Sequence, residues 1–420
     1  MARSRQTSGV KPLPLKALAL GLALGAAALP ARADNALHGR LEVQEVAAFA
    51  RSDSIDAAFG ARDRNDATAN LRLTWEPSWD RWSFAANYII GFDVGDGARL
   101  ARAEAGLVPT PPATWFNLTN TFEDHGQLSA SQRLDRLSLS YTTTYTVFRL
   151  GRQALTWGSG MVFRPMDLFD PFSPDATDTE YKPGTDMAYL QVLFDDGSDL
   201  QAIYVPRPAK KGSAPAANAS SFAVHYHATL FGYQTTLMAA RDHGDWTGAI
   251  GVNGALGGAT WNLEFVPTLV RRGAARFSGI ANISDAVTLF GRDATVYLEY
   301  FHNGFGARGA YDFTSLPADL MDRLGRGQVF NTRQNYLAGG MSLMATPLLT
   351  LDPTLISCLD DGSLYAILSG TYSLSDNLNL IAGVQAPIGP SGSEFGGMPF
   401  PGGLTFAPPA RLYVQLRQYF

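Results

Sequence analysis

The stretch from residue 155 to residue 185 carries both acidic and basic side chains. Its acids are Asp167, Asp170, Asp175, Asp178 and Glu180, and its basic residues are Arg164 and Lys182. Carboxylates placed opposite cations in a water-filled space create a transverse field that orients dipolar solutes and sorts ions by charge. Four prolines in the stretch predict that it is stiff. It is therefore the first candidate for a functional site.

Histidine, serine and cysteine residues are the other candidates for a metal or catalytic site. His225-x-His227 places two imidazoles on one side of a strand, but the sequence offers no identifiable third ligand. No serine stands in a nucleophile elbow or pairs recognisably with a histidine. Cys358 is the only cysteine, which excludes an intramolecular disulfide and a zinc cluster of cysteines. We therefore expect no metal, no cofactor and no enzymatic activity.

Alternation of apolar and polar residues recurs along most of the chain and predicts β-strands. Clear examples are Trp82 to Phe92 and Phe222 to Leu230. Repeated at the length that a membrane strand needs, this alternation predicts a transmembrane antiparallel β-barrel of 18 strands, with 16 as the alternative. The predicted strands are 38–50, 68–76, 82–93, 134–142, 145–154, 186–194, 198–205, 220–230, 233–242, 246–256, 259–270, 276–284, 291–302, 334–345, 348–358, 362–373, 377–387 and 410–420.

The connections between these strands are consistent with a barrel. Every second connection is short, whereas the long insertions fall on the others, as expected for short periplasmic turns and long surface loops. A further candidate strand near Trp115 to Phe122 was omitted because it breaks this order. An open sheet of this size could not hide its edges in lipid, so closure is required.

Both ends of the chain carry targeting features. Residues 1–33 contain basic residues, an Ala/Leu/Gly run and Ala31-Arg32-Ala33, and predict a cleaved signal peptide. Residues 34–420 then form one barrel domain with 28 Lys and Arg against 38 Asp and Glu, a net charge of −10. This acidic balance argues against nucleic acid as a partner.

Alternation also predicts which charged wall residues face the lumen. Arg72, Arg136 and Arg149 are the basic candidates, with Glu76, Glu264 and Glu299 elsewhere around the ring. We predict that the acids of 155–185 face these cations, either across an open constriction or in ion pairs that pin the stretch to the wall; the two interpretations are compatible. Arg152 shares a side with Phe148 and Leu150, so we expect it at the outer rim, in reach of lipid headgroups.

The last ten residues resemble the carboxy-terminal recognition signal of Gram-negative outer-membrane β-barrels. Leu412, Val414 and Leu416 alternate with polar residues, and the chain ends on Phe420. The resemblance implies that the barrel assembly machinery reads this strand, which then closes the barrel against 38–50. It also implies insertion in the bacterial outer membrane, in contact with lipid and lipopolysaccharide.

By its place between the fifth and sixth strands, 155–185 resembles the inward-folded constriction loop of porins. Arg149 to Gly160 and Val296 to Phe305 resemble segments of alginate-export and porin-like barrels. The leading hypothesis is a water-filled diffusion channel for small hydrophilic solutes with a charged constriction. A polymer-export barrel and a non-conducting structural or partner-binding barrel are the alternatives, and homo-oligomerisation is left open.

Overall fold

Eighteen antiparallel strands form one closed barrel in the computed structural model, which describes residues 37–107, 111–309 and 311–420. The predicted signal peptide lies outside the described residues. The barrel strands are β1 Leu37–Phe49, β2 Asp63–Trp75, β3 Trp82–Gly95, β4 Leu128–Thr142, β5 Thr146–Gln153, β6 Thr185–Leu193, β7 Asp199–Val205, β8 Ser221–Leu230, β9 Tyr233–Asp242, β10 Asp245–Leu256, β11 Ala259–Leu269, β12 Ala275–Leu289, β13 Arg292–His302, β14 Asn335–Thr346, β15 Leu349–Cys358, β16 Leu364–Ser375, β17 Leu378–Ile388 and β18 Ala410–Tyr419. The predicted all-β barrel and its 18 strands are confirmed.

The two faces of the strands have opposite chemistry. Large apolar side chains point outward and are exposed, for example Leu237, Ile250 and Phe265. The intervening positions point inward and are polar but buried, among them Asn262 and Glu299. A soluble sheet protein has the reverse arrangement, so this pattern is that of a barrel surrounded by lipid.

The barrel closes between the first and last strands. β1 pairs with β18 from Arg40 opposite Tyr419 to Phe49 opposite Ala410. Beyond the ladder, the Phe420 amide donates to the Gly39 carbonyl at 3.0 Å, and the Phe420 ring occupies the space that a Cβ of residue 39 would need. The predicted pairing of 410–420 with the first strand is therefore confirmed.

The connections divide the barrel into two ends. The eight connections after even-numbered strands have two to six residues each, and we call this side the turn end. The long connections, including 96–127, 154–184, 303–334 and 389–409, all lie at the opposite, loop end. This division agrees with the order predicted from the sequence.

The loop end also carries short helices and strands. The helices are α1 Ile55–Ala58, α2 Asp96–Ala103 and α3 Ala318–Gly325, with a 3-10 turn at Phe313–Ser315. The minor strands at this end are Thr119–His125, Met398–Phe400 and Leu404–Phe406, and a further minor strand, Ser78–Trp79, lies at the turn end. Thr119–His125 pairs with the beginning of β4 and overlaps the candidate strand that was omitted from the sequence-based set. It is a real strand but lies outside the closed ring. Among the described residues, no helix is long and apolar enough to cross a membrane.

Candidate functional site

The connection between β5 and β6, residues 154–184, contacts the polar faces of strands in several parts of the ring. We call residues 155–185 the β5–β6 segment. Its first half, 155–169, packs against strands in the middle of the chain, and its second half, 173–182, reaches the strands near the two ends of the chain. Each half uses a different kind of contact.

The first half is held partly by apolar packing. Trp157 stacks on His225 with ring centroids 4.9 Å apart and donates from Nε1 to Gln201 at 2.8 Å. Phe163 stacks on Phe301 at 4.5 Å. The rings of Trp157 and Phe163 are both buried, so they leave water together with the side chains they contact.

Two wall carboxylates bind the backbone of the first half. Glu299 on β13 accepts hydrogen bonds from the amides of Met161, Val162 and Phe163 at 2.7 to 3.0 Å. Glu264 on β11 accepts from the Ser159 amide and, at 2.9 Å, from its hydroxyl. Both carboxylates are buried. Because charged acceptors form strong hydrogen bonds away from bulk water, this anchor fixes the backbone itself.

A buried ion pair joins the two halves of the segment. The Lys182 ammonium lies 2.6 Å from Asp167 and also donates to the Leu155 carbonyl. Burial raises the pKa of the Asp167 carboxyl to about 6, although the Lys182 charge opposes the shift. Asp170 accepts from the Thr185 hydroxyl. These contacts are internal and close the segment on itself.

The second half is held by ion pairs with arginines of the wall. Asp178 lies 2.7 Å from Arg40 on β1 and 3.2 Å from Arg417 on β18. Glu180 lies 2.8 Å from Arg40 and accepts from the Tyr419 hydroxyl at 2.7 Å. Arg411, also on β18, lies 3.1 Å from Asp175.

A second group of arginines surrounds one aspartate beside the segment. Asp135 sits at a β-bulge of β4, where it pairs with Arg72 and Arg136 at 3.0 Å each. Arg136 also donates to the Lys182 carbonyl. Arg72 lies over the Tyr181 ring at 4.2 Å from its centroid, and Arg40 lies 4.9 Å from the same ring. Tyr181 thus joins the two groups of arginines.

Two cavities adjoin the second half. One has a volume of about 340 Å³ and is lined by Arg64, Glu104 and Arg411, among others. The other, of about 330 Å³, is lined by Arg40, Arg72 and Tyr181, among others. Ser173 and Phe330 line both, so the two cavities lie side by side.

The predicted site residues fall into three sets. Arg72, Arg136 and the acids Asp175, Asp178 and Glu180 lie in the contacts between the segment and the wall. Asp167, Asp170 and Arg164, which donates to the Gly160 carbonyl at 3.3 Å, make contacts within the segment or at its end. Arg149 is apart from both, since it donates to Ser140 on the neighbouring strand at 2.9 Å.

Sequence reasoning missed the partners on the end strands. Arg40, Arg411 and Arg417 were not identified as partners of the segment, although they alternate with apolar residues in β1 and β18. That alternation is the signal that could have found them. The terminal strand was considered for assembly alone.

The expectation for Arg152 was wrong. Its guanidinium is buried, pairs with Asp186 at 2.8 Å and donates to the Phe116 carbonyl at 2.7 Å. The stretch before the minor strand Thr119–His125 covers it, so it does not need lipid headgroups.

In the part of the chain that the structure describes, no group of three or more His, Cys, Asp or Glu side chains could hold a metal ion.

Three solved structures are similar to this chain over most of its length. OccAB2 of Acinetobacter baumannii matches 91% of this chain and 98% of its own, at 10% identity and a TM-score of 0.52. OccK3 (OpdO) of Pseudomonas aeruginosa matches at 13% identity, 91% and 95% coverage and a TM-score of 0.49. A mutant of the Rh. blastica porin matches at 10% identity, 91% and 99% coverage and a TM-score of 0.44. No protein-family model matches the chain, and no curated protein matches it. The chain has the fold of bacterial outer-membrane porins.

Proposed function

We propose that the protein is an outer-membrane diffusion channel for small hydrophilic solutes, and that the β5–β6 segment narrows it. The turn end faces the periplasm and the loop end faces the cell exterior in this proposal, because long loops belong to the surface side of such barrels. A barrel of eighteen strands is too wide to be filled by its own wall side chains, so its interior holds water unless a segment folds inward.

One observation carries the proposal. The segment is bonded to Glu264 on β11 and to Arg40 on β1. These strands are eight positions apart in a ring of eighteen, so they lie almost opposite each other. A segment bonded at both places crosses the interior. The charged groups of the two adjoining cavities suit solutes that carry charges or hydrogen-bonding groups.

In the proposed constriction, the acids and the arginines are not separated by an open, water-filled gap. The acids of the segment contact the wall arginines directly, as the 2.7 Å distance between Asp178 and Arg40 shows. These pairs position the segment. The passage for solute then lies beside the pairs, along the cavities that share Ser173 and Phe330.

The crossing segment also weighs against polymer export, which requires a wide and unobstructed lumen. A non-conducting structural barrel makes a different prediction for purified protein. Reconstitution in planar bilayers distinguishes the two: the channel proposal predicts discrete conductance steps, and their consistent absence from folded protein would refute it.

A shortened segment tests the constriction separately. Replacing 171–178 with a short Gly-Ser linker removes contacts on the β1 side, and we expect a conductance at least about twofold higher because the narrowing element is lost. Shortening the exposed tip at 209–214 by a similar length is the matched control and should leave the conductance unchanged. Equal conductance in all three proteins would contradict a narrowing role.

A further inference from the structure

The junction between β1 and β18 differs from the other strand pairs of the ring. Neighbouring strands elsewhere in the described barrel are joined by one connection of the chain, whereas β1 and β18 lie at opposite ends of the sequence. The junction, which we call the seam, is held by its backbone ladder and by side chains across it. No turn keeps the two strands together when the ladder opens.

Residues 175–180 of the β5–β6 segment make their wall contacts at this seam. Asp178 contacts both Arg40 and Arg417, so one carboxylate touches the first and the last strand. Glu180 does the same through Arg40 and Tyr419. Next to Asp178 in the chain, the Thr177 hydroxyl accepts from Gln44 on β1 at 3.1 Å. Further contacts come from Arg411 to Asp175 and from Gln385 to the Asp175 carbonyl.

The charges at the seam explain why these acids matter. Arg40 and Arg417 are both buried, and among the described wall residues Glu42 is the carboxylate that pairs with both, at 3.5 and 2.6 Å. Two buried guanidinium groups on one carboxylate leave a positive charge uncompensated between the strands that must stay together. Removing one partner from a buried ion pair is costly because the remaining charge stays desolvated. Asp178 and Glu180 bring two further carboxylates from the lumen side, so that each arginine has an acidic partner besides Glu42.

We propose that residues 175–180 act as an internal clasp that holds the barrel closed by bridging Arg40 on the first strand and Arg417 on the last. The clasp is a second role of the segment and does not depend on what the channel conducts. It also couples two events in assembly, because Asp178 and Glu180 can contact both strands at once only after β1 and β18 have met.

A rescue experiment tests the clasp. Asp178→Asn combined with Glu180→Gln removes both negative charges, and we expect the heat-unfolding midpoint of the purified barrel, followed by gel mobility, to fall by about 5 °C. Val43→Cys with Leu416→Cys joins directly opposed seam residues on the outer face. The disulfide should restore most of the loss. The native Cys358 is buried and does not compete.

Glu264→Gln is the matched control, because it weakens the segment's anchor on β11, away from the seam. Its loss of stability should not be restored by the seam disulfide. The proposal is overturned if the disulfide fails to rescue the double variant, or if it rescues Glu264→Gln to the same degree.

A second measurement keeps Asp178 and Glu180 unchanged, so it tests the clasp even if the double variant does not assemble. Asp178 and Glu180 are 28% and 29% exposed, so salt can screen their pairs. Raising NaCl from 0.1 to 1 M should lower the unfolding midpoint of the wild-type barrel and leave that of the disulfide-linked barrel almost unchanged. An equal response of both proteins, or no response of either, would contradict the clasp.

Discussion

The two halves of the β5–β6 segment are fixed to the wall by opposite chemistry. In the first half, wall carboxylates accept from backbone amides of the segment, and aromatic rings are buried beside them. In the second half, carboxylates of the segment form ion pairs with arginines of the first and last strands. The first anchor fixes the path of the backbone. The second depends on side-chain charge and on closure of the barrel.

This difference predicts different sensitivities. Backbone amides bound to a buried carboxylate are insensitive to the side chains of the segment and weakly sensitive to salt. Ion pairs that are partly exposed respond to salt, pH and single substitutions. The first half should therefore hold its position when the second is loosened.

The largest effect is expected for Glu299→Ala. It leaves the amides of Met161, Val162 and Phe163 without their acceptor in a buried site, which should cost about 3–5 kcal/mol of unfolding free energy. Heat-unfolding midpoints measure the loss. Glu76→Ala is the control, since Glu76 is exposed and should tolerate the change. Equal stability of both variants would show that the hydrogen bonds to Glu299 do not stabilise the barrel.

Phe163→Ala tests the apolar part of the same anchor. The ring is buried against Phe301 and Tyr336, and its removal should cost about 3 kcal/mol because a cavity remains. Urea unfolding of the reconstituted barrel measures the change. Phe231→Ala, at a fully exposed turn, should have little effect and serves as the control. A loss below about 1 kcal/mol would mean that the wall collapses onto the vacated site.

Arg40→Lys probes the second anchor with the charge kept. The guanidinium contacts both oxygens of Asp178 and also Glu180, a geometry that a lysine ammonium cannot reproduce. We expect a loss of about 1–2 kcal/mol. Arg149→Lys, which gives up one hydrogen bond to Ser140, should cost less. A larger loss of unfolding free energy for Arg149→Lys than for Arg40→Lys would contradict the role of Arg40 in the second anchor.

The smallest effect is a pH dependence of the second anchor. Burial raises the pKa of Asp178, but the hydrogen bond and charge of Arg40 outweigh it, so the net pKa is lowered. A lowered pKa gives stability that is present above the unfolded value, near 3.9, and is lost as the pH falls through the folded value. The stability difference between wild type and Asp178→Asn should thus be constant from pH 7 to 5 and shrink below about pH 4. A difference that already disappears at pH 6 would contradict this sign.

Much of the barrel was predictable because its rules are local. Alternation along Trp82 to Phe92 specifies both strand and membrane face, and the short turns specify the direction of each strand. The predicted strand bounds differ from those of the structure where a strand extends beyond the membrane. For example, β2 begins at Asp63, whereas the predicted strand begins at residue 68. The candidate strand near Trp115 to Phe122 breaks the predicted order of short and long connections, so Thr119–His125 was not predicted. It pairs with only part of β4 and therefore leaves the order of the ring unchanged.

The site was only partly predictable because its contacts are distant in sequence. The acids of the segment were identifiable from composition, but their pairing with Arg40 and Arg417 spans 138 or more residues in each direction. The Asp135 bulge, which turns two consecutive side chains toward the lumen, interrupts the alternation on which the assignment of Arg136 depended. The Arg152 expectation was wrong because a loop covers that position.

We propose that the β5–β6 segment crosses the conducting path. Ser173→Cys places a thiol where the two cavities meet, and it can be labelled with a charged methanethiosulfonate reagent during a bilayer recording. We expect a stepwise loss of at least about half of the current, because the added group stands in the passage. Ser213→Cys, on an exposed loop, should show no change. An unchanged current after complete labelling of Ser173→Cys would show that the segment lies outside the conducting path.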